Sequence, residues 1–287
     1  MKSFTECKSK ASWILKRNIL NTFAQNLRVM STVLYDSPIF GPVHSRRLGV
    51  SLGINLMPAD GKICTFDCIY CECGRNASHR THMHRPTREE VATVLKEKLE
   101  QMKADAIEPN VLTFAGNGEP TAHPDFPGIM ADTIAIRDEY FPKAKVSVLS
   151  NGTRIMNDEV FDALKKIDNN IQKLDTVDPS YIEAIDVPVV PYDVSKIIDR
   201  LAQFNGHVII QTMFMKGNLG ERDMNNTGDS FVLPWIEALK CIKPEKVMIY
   251  TIDRETPVTT LQKATHEELD RIVALLEANG FSAQASY

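Results

Sequence analysis

From Gly49 onward the chain alternates between two rhythms, with apolar residues at every second position and then at every third or fourth. The run Gly49-Val50-Ser51-Leu52-Gly53-Ile54-Asn55-Leu56 has the first rhythm, predicts a strand and leads straight into a loop of cysteines. The second rhythm begins at Thr87. That residue forms a capping box with Glu90, and Val91, Val94, Leu95, Leu99 and Met102 then lie on one helical face. Further strands are predicted over 111–115, 146–150, 171–175, 208–214 and 247–252, with helical stretches such as 193–204 and 231–242 between them. A last helix opens on a second capping box, Thr265 with Glu268, and closes at Gly280, leaving a short tail over 281–287. Strands and helices that alternate in this way imply a parallel sheet with helices outside it. The strands are too few to close a full barrel. The expected fold is therefore α/β, an open, partial parallel β/α barrel of about six strands. Its ligand site is expected at the carboxyl ends of the strands, where the motifs described below all fall.

The stretch before Met30 does not share this patterning. It reads either as a loosely attached leading helix or as residues upstream of the true start. The expected organisation is an N-terminal extension, residues 1–30, and one core domain, residues 31–287. Of the 287 residues, 43% are apolar and 24% charged, a balance that fits an ordered globular chain. No uncharged apolar run is long enough to span a membrane. The opening Met1-Lys2-Ser3-Phe4-Thr5-Glu6 lacks the apolar run of a signal peptide, and Trp13-Ile14-Leu15 is cut short by Lys16-Arg17. A cytoplasmic location is expected, and the six cysteines there are metal ligands or free thiols rather than disulfides. A net charge of −4 gives no global attraction to nucleic acid.

The chemistry is concentrated in Cys64-Thr65-Phe66-Asp67-Cys68-Ile69-Tyr70-Cys71. Three thiolates at this spacing can reach three corners of one cuboidal cluster from a single loop. A [4Fe–4S] cluster is commonly held by four cysteines, so Cys64, Cys68 and Cys71 alone leave one iron open. That open position can take the amino and carboxylate groups of S-adenosylmethionine (SAM). Zinc is the competing reading, with Cys73 or His79 as fourth ligand, but zinc sites usually pair two close cysteine units and no second pair is present. Cys73 is separated from Cys71 by one residue, too short a reach for a fourth cluster ligand, and reads as a spare thiol at the edge of the loop. Cys241 lies in an apolar helical stretch and is expected in the core.

Cys-x3-Cys-x2-Cys with an aromatic before the last cysteine resembles the signature of the radical SAM superfamily, and the resemblance extends over roughly residues 34–257. Gly116-Asn117-Gly118-Glu119-Pro120 resembles the Gly-Gly-Glu-Pro element that holds the methionine amino group of SAM, with Asn117 in place of the second glycine. Ser150-Asn151-Gly152-Thr153 is similar to the element near the SAM ribose. Lys173, Asp175 and Gln211 fall where such enzymes place further polar ligands, and Tyr250-Thr251-Ile252-Asp253 falls near the adenine. The resemblance makes Tyr70 an adenine contact. Each of these has a plainer reading alone: Asn-Gly is a turn, Gln211 a satisfied core amide, Tyr70 a packing residue.

Within the superfamily, Phe40-Gly41-Pro42-Val43-His44-Ser45-Arg46-Arg47-Leu48-Gly49 resembles small proteins related to wyosine-tRNA synthases. Arg75, His79, Arg80, His82, His84, Arg85 and Arg88 follow the cluster loop with no acidic residue among them up to Glu89. Such a run can grip phosphate or carboxylate groups, so RNA is a candidate partner through Arg75, Arg80, Arg85 and Arg88; a solvated loop is the plainer reading. The resemblance implies an enzyme that reductively cleaves SAM to a 5′-deoxyadenosyl radical, served by a reductant such as flavodoxin or ferredoxin. The alternative is a cluster-bearing accessory or electron-transfer protein without catalysis of its own.

Overall fold

A computed structural model describes residues 33–45, 49–78 and 81–287. The expectations for residues 1–30, and for Arg46, Arg47, His79 and Arg80, fall outside the described residues.

Strand β1 (Ile39–Ser45) runs antiparallel to β2 (Gly49–Ile54). Then β3 (Val111–Phe114), β4 (Lys145–Ser150), β5 (Asn169–Lys173) and β6 (Ile209–Met213) add in chain order, each parallel to the one before. After a small excursion, β9 (Lys246–Tyr250) pairs with β6 and β11 (Ala283–Ser286) pairs with β9, again in parallel. The sheet order is β1-β2-β3-β4-β5-β6-β9-β11, with β1 and β11 as its two edges, so the barrel is open. The six expected parallel strands are all present. Two more flank them: β1, where the sequence shows a Gly-Pro interruption, and β11, which occupies the expected tail.

Parallel register sorts the side chains into two layers. Leu52 stands beside Leu112, and Leu112 beside Val146. This outward layer is fully buried under the helices. Helix α1 (Arg88–Ala104) covers it with Val91, Leu95, Leu99 and Met102, and its Thr87–Glu90 capping box is formed as expected. Fully burying one such apolar side chain stabilises the fold by roughly 1.5–3 kcal/mol. Helices α2 (Phe126–Tyr140), α3 (Asp158–Leu164), α4 (Pro179–Ile185), α5 (Val194–Ala202), α6 (Asp229–Ile242) and α7 (His266–Ala278) follow. On α6 the buried stripe is Val232, Trp235, Ile236, Leu239 and Ile242. Cys241 falls about 200° around the helix from Leu239 and is exposed, not in the core as its apolar neighbourhood implied.

The excursion builds a second sheet, β10-β7-β8, from β7 (Met215–Leu219), β8 (Arg222–Asp223) and β10 (Leu261–Lys263). Its Met215, Leu219 and Leu261, with Met224 next to it, pack against Ile69 and Tyr70 of the cysteine loop. Some of the cover over the strand ends therefore comes from connections inside the chain. No helix among the described residues is long and apolar enough to cross a membrane.

Candidate functional site

The cysteine loop is fastened by main-chain bonds to the segment after β3 and to the end of α4. Ile63 N donates to Asn117 O at 3.0 Å, Asp67 N to Asp186 O at 2.9 Å and Ile69 N to Ile185 O at 2.9 Å. Asn76 braces it from within, accepting from Cys64 N at 3.0 Å and donating to Cys64 O and Phe66 O at 3.1 and 3.2 Å. Gly118 has φ +142°, and a Cβ there would stand 1.8 Å from Ile63 O. No other residue allows the loop to approach the β3 end so closely.

Cys64, Cys68 and Cys71 are free thiols, part-exposed, and all three open into one cavity of about 550 Å³. Among the described residues, no three His, Cys, Asp or Glu side chains converge on a point as a single metal ion requires. A cuboidal cluster takes each thiolate on a different iron, so it suits thiols spread around one cavity. Cys73 is a correction: it is buried, lines the same cavity and donates to Gly116 O at 3.4 Å, rather than standing at the loop's edge.

The thiols are electrostatically unlike. The Cys73 thiol's hydrogen bond holds Cys71 down to about 6 against the effect of burial, and the Lys62 ammonium assists. Burial pushes Cys64 up to about 12, with the Glu119 charge adding to it, and pushes Cys68 well above the usual thiol range. Such thiols lose their protons most readily to a bound cation.

Lys62 is buried inside the loop, donating to Gly74 O at 2.9 Å and Asp67 Oδ1 at 3.4 Å. Burial works against its charge, but Cys71, Cys64, Cys68 and Asp67 outweigh that and raise its pKa. Across the loop, Lys173 contacts both Asp175 and Asp186, the latter at 2.8 Å, and stands 4.5 Å from the Tyr70 ring centre. Cys68 Sγ lies 3.6 Å from Asp186 Oδ1.

Of the residues singled out in the sequence, Tyr70, Gly116, Gly118, Glu119, Asn151, Gln211 and Tyr250 line the cavity, as does Lys173. Glu119 is almost wholly buried; its carboxylate accepts from Thr121 N at 3.0 Å, Asn151 N at 2.7 Å and the Thr121 hydroxyl. Burial raises its pKa despite these donors. Three other candidates do not line the cavity. Asn117 uses its amide on Tyr35 N, Tyr35 O and Pro58 O. Ser150 turns its hydroxyl to Gly152 N. Asp175 is spent internally on Tyr70 OH, Lys173 and Met213 N. All three support the wall.

Sequence reasoning missed Lys62, Asp186 and the rim group of Tyr35, Glu72 and Arg254. Arg254 reaches Glu72 at 2.9 Å and bonds Tyr35. Lys62, two residues ahead of Cys64, carried a signal in its position; the rest are joined only by folding.

The cationic run after the loop is acid-free in sequence but not in space. Arg88 is held bidentately by Asp132 at 2.6 and 2.7 Å, and His84 lies 3.2 Å from Glu90. Arg75 lies 3.8 Å from Asp67 Oδ2 and also bonds its carbonyl. Arg85 donates to Ala122 O at 3.5 Å. Among the described residues, two of the cations expected to grip phosphate, Arg75 and Arg88, thus face the protein's own carboxylates.

The sequence matches the profile of the Radical SAM superfamily over residues 60–227. It is 31% identical over 221 residues to a UPF0026 protein of Helicobacter pylori, covering 75% of this chain and 66% of that one. It is 29% identical over 246 residues to a protein of Brachyspira hyodysenteriae named GTPase Obg, covering 84% of this chain and 34% of that one. The chain therefore spans between a third and two thirds of these relatives. Among solved structures, a radical SAM methyltransferase from Sphaerobacter thermophilus superposes with a TM-score of 0.62 at 16% identity, over 83% of this chain and 66% of that one. Streptococcus suis SuiB bound to S-adenosylmethionine superposes with a TM-score of 0.59 at 13% identity, over 82% of this chain and 50% of that one. At such identities the likeness is one of fold.

Proposed function

The chain belongs to the radical SAM superfamily, and we propose that it is a radical SAM enzyme that holds a [4Fe–4S] cluster on Cys64, Cys68 and Cys71 with SAM beside it. One observation carries the assignment of residues: three free thiols and the buried carboxylate of Glu119 open into the same cavity at the strand ends. When bound, the cluster supplies the electron that splits the sulfonium of SAM into methionine and a 5′-deoxyadenosyl radical.

The protein's own groups bind and orient. Glu119 would hold the methionine ammonium with a carboxylate already oriented by Thr121 and Asn151. Gly116 and Gly118 let Asn55 and Ile63 close on the end of β3 beside it, and Tyr70 and Tyr250 offer ring surface to the adenine. One to three positions back from the strand ends, Ser51, Thr113, Leu149, Ile171, Gln211 and Met248 line the cavity, and none is charged. That lining supports an uncharged reacting group on the substrate and keeps water from a radical intermediate. An external one-electron reductant of the flavodoxin or ferredoxin kind completes the system. An RNA substrate draws less support, since Arg75 and Arg88 already have acidic partners.

The test is 5′-deoxyadenosine release from SAM under strong reductant without oxygen. Release that depends on Glu119 is expected. A protein with its full cluster that releases none is a carrier, and the catalytic reading fails.

A further inference from the structure

Lys62 has no part in the reading above, yet it is an ammonium buried at the centre of the cysteine loop, its side chain 1% exposed. Burying an ammonium is costly unless opposite charge lies close by. Its acidic contact, Asp67 at 3.4 Å, is shared with Arg75, so one carboxylate faces two cations. On the far side of the loop the balance is reversed, with Lys173 facing two carboxylates, Asp175 and Asp186. The Lys62 group thus carries one surplus positive charge and the Lys173 group one surplus negative charge, to which the buried Glu119 beside Cys64 adds. Lys62 stands two residues before Cys64, and its ammonium bonds Asp67 Oδ1 at 3.4 Å and Gly74 O at 2.9 Å, residues that flank Cys68 and Cys71 in the loop.

We propose that Lys62 is a positioning residue for the cluster: a fixed buried cation that raises the potential at which the cluster accepts its electron. The inference rests on the cluster reading above. Each electron taken from the external reductant adds one negative charge to the site, and a neighbouring cation stabilises the reduced form more than the oxidised one. Cluster potentials respond to net charge and to hydrogen bonding around the sulfurs. Solvent weakens such an effect at exposed positions, but Lys62 is screened by the loop folded around it. A purely structural role, through the bond to Gly74 O, is the competing account.

The experiment is an anaerobic redox titration of reconstituted protein without SAM, followed by electron paramagnetic resonance, with iron counted per chain. Lys62→Met removes the charge at similar length, Lys62→Gln keeps a donor without charge, and Lys62→Arg keeps the charge. Met and Gln variants with wild-type iron should show the reduced-to-oxidised ratio at fixed potential fall about tenfold or more, some 59 mV for one electron. The Arg variant should titrate with the wild type. An unmoved midpoint in the Met and Gln variants overturns the proposal, as does an equal shift in the Arg variant. Loss of iron from both neutral variants also overturns it, and makes Lys62 an assembly residue. A wild-type protein that takes up no cluster brings down the cluster reading itself.

Discussion

At the scale of single residues, spacing made the cysteines legible but not their surroundings. Three thiols at fixed intervals announce one cavity; which fourth thiol joins them depends on folding, and Cys73 turns inward to Gly116 O. Its one proton goes to that carbonyl, and it is expected to stay outside the ligand set. Cys68→Ala is therefore expected to abolish iron binding, since two remaining thiolates are too few anchors. Cys73→Ala should retain iron, with its absorption altered. Iron that survives the first change and is lost with the second would exchange the two roles. Glu119 was legible from its motif, and the structure adds its cost: burial already opposes its charge before any ligand arrives. A charge-assisted hydrogen bond contributes roughly 1.5–3 kcal/mol. Glu119→Gln should thus weaken SAM binding about tenfold or more at unchanged iron content; equal affinity by calorimetry would remove Glu119 from the site.

At the scale of elements, the strands with alternating large apolar residues were all readable, and those without them were not. β1 is interrupted by Gly41-Pro42, where its register with β2 shifts between Phe40 and Val43. β11 is Ala-Gln-Ala-Ser, small residues with little strand signal. Its identity comes from pairing, with Ala283 beside Val247 and Ala285 beside Ile249. Phe281, Ala283 and Ala285 also pack on the main core. Ending the chain at Gly280 should consequently uncover β9 and lower the melting temperature by about 4 °C or more, taking each kcal/mol as worth roughly 2–4 °C in a domain near this size. Calorimetric scans of the two proteins decide it: melting within about 1 °C of each other would make β11 an ornament of the sheet. The β10-β7-β8 sheet was unreadable for another reason. Its strands come from two distant connections, and what unites them is the apolar surface they share with Ile69 and Tyr70.

At the scale of the whole molecule, the question is what the open barrel receives. Charge read along the chain favoured a polyanion beside the cysteine loop. Charge read in space does not, because folding brings Asp67 and Asp132 from elsewhere onto Arg75 and Arg88. The deeper cavity walls are uncharged as well, and the chain as a whole carries a charge of −4. At physiological salt, charges more than about 8 Å apart are largely screened, so a polyanion would feel the neutralised local pairs rather than isolated arginines. Affinity for nucleic acid falls with salt in proportion to the number of phosphates neutralised. With Arg75 and Arg88 paired among the described residues, a shallow slope is expected. Titration of cluster-loaded, SAM-bound protein with bulk tRNA is expected to give weak binding at low salt, little dependence on added salt, and no change on Arg88→Ala. A steep slope of about three or more phosphate contacts, reduced when Arg85 and Arg88 are replaced together, would show that RNA displaces Asp132 from Arg88. It would return RNA to the position of leading substrate.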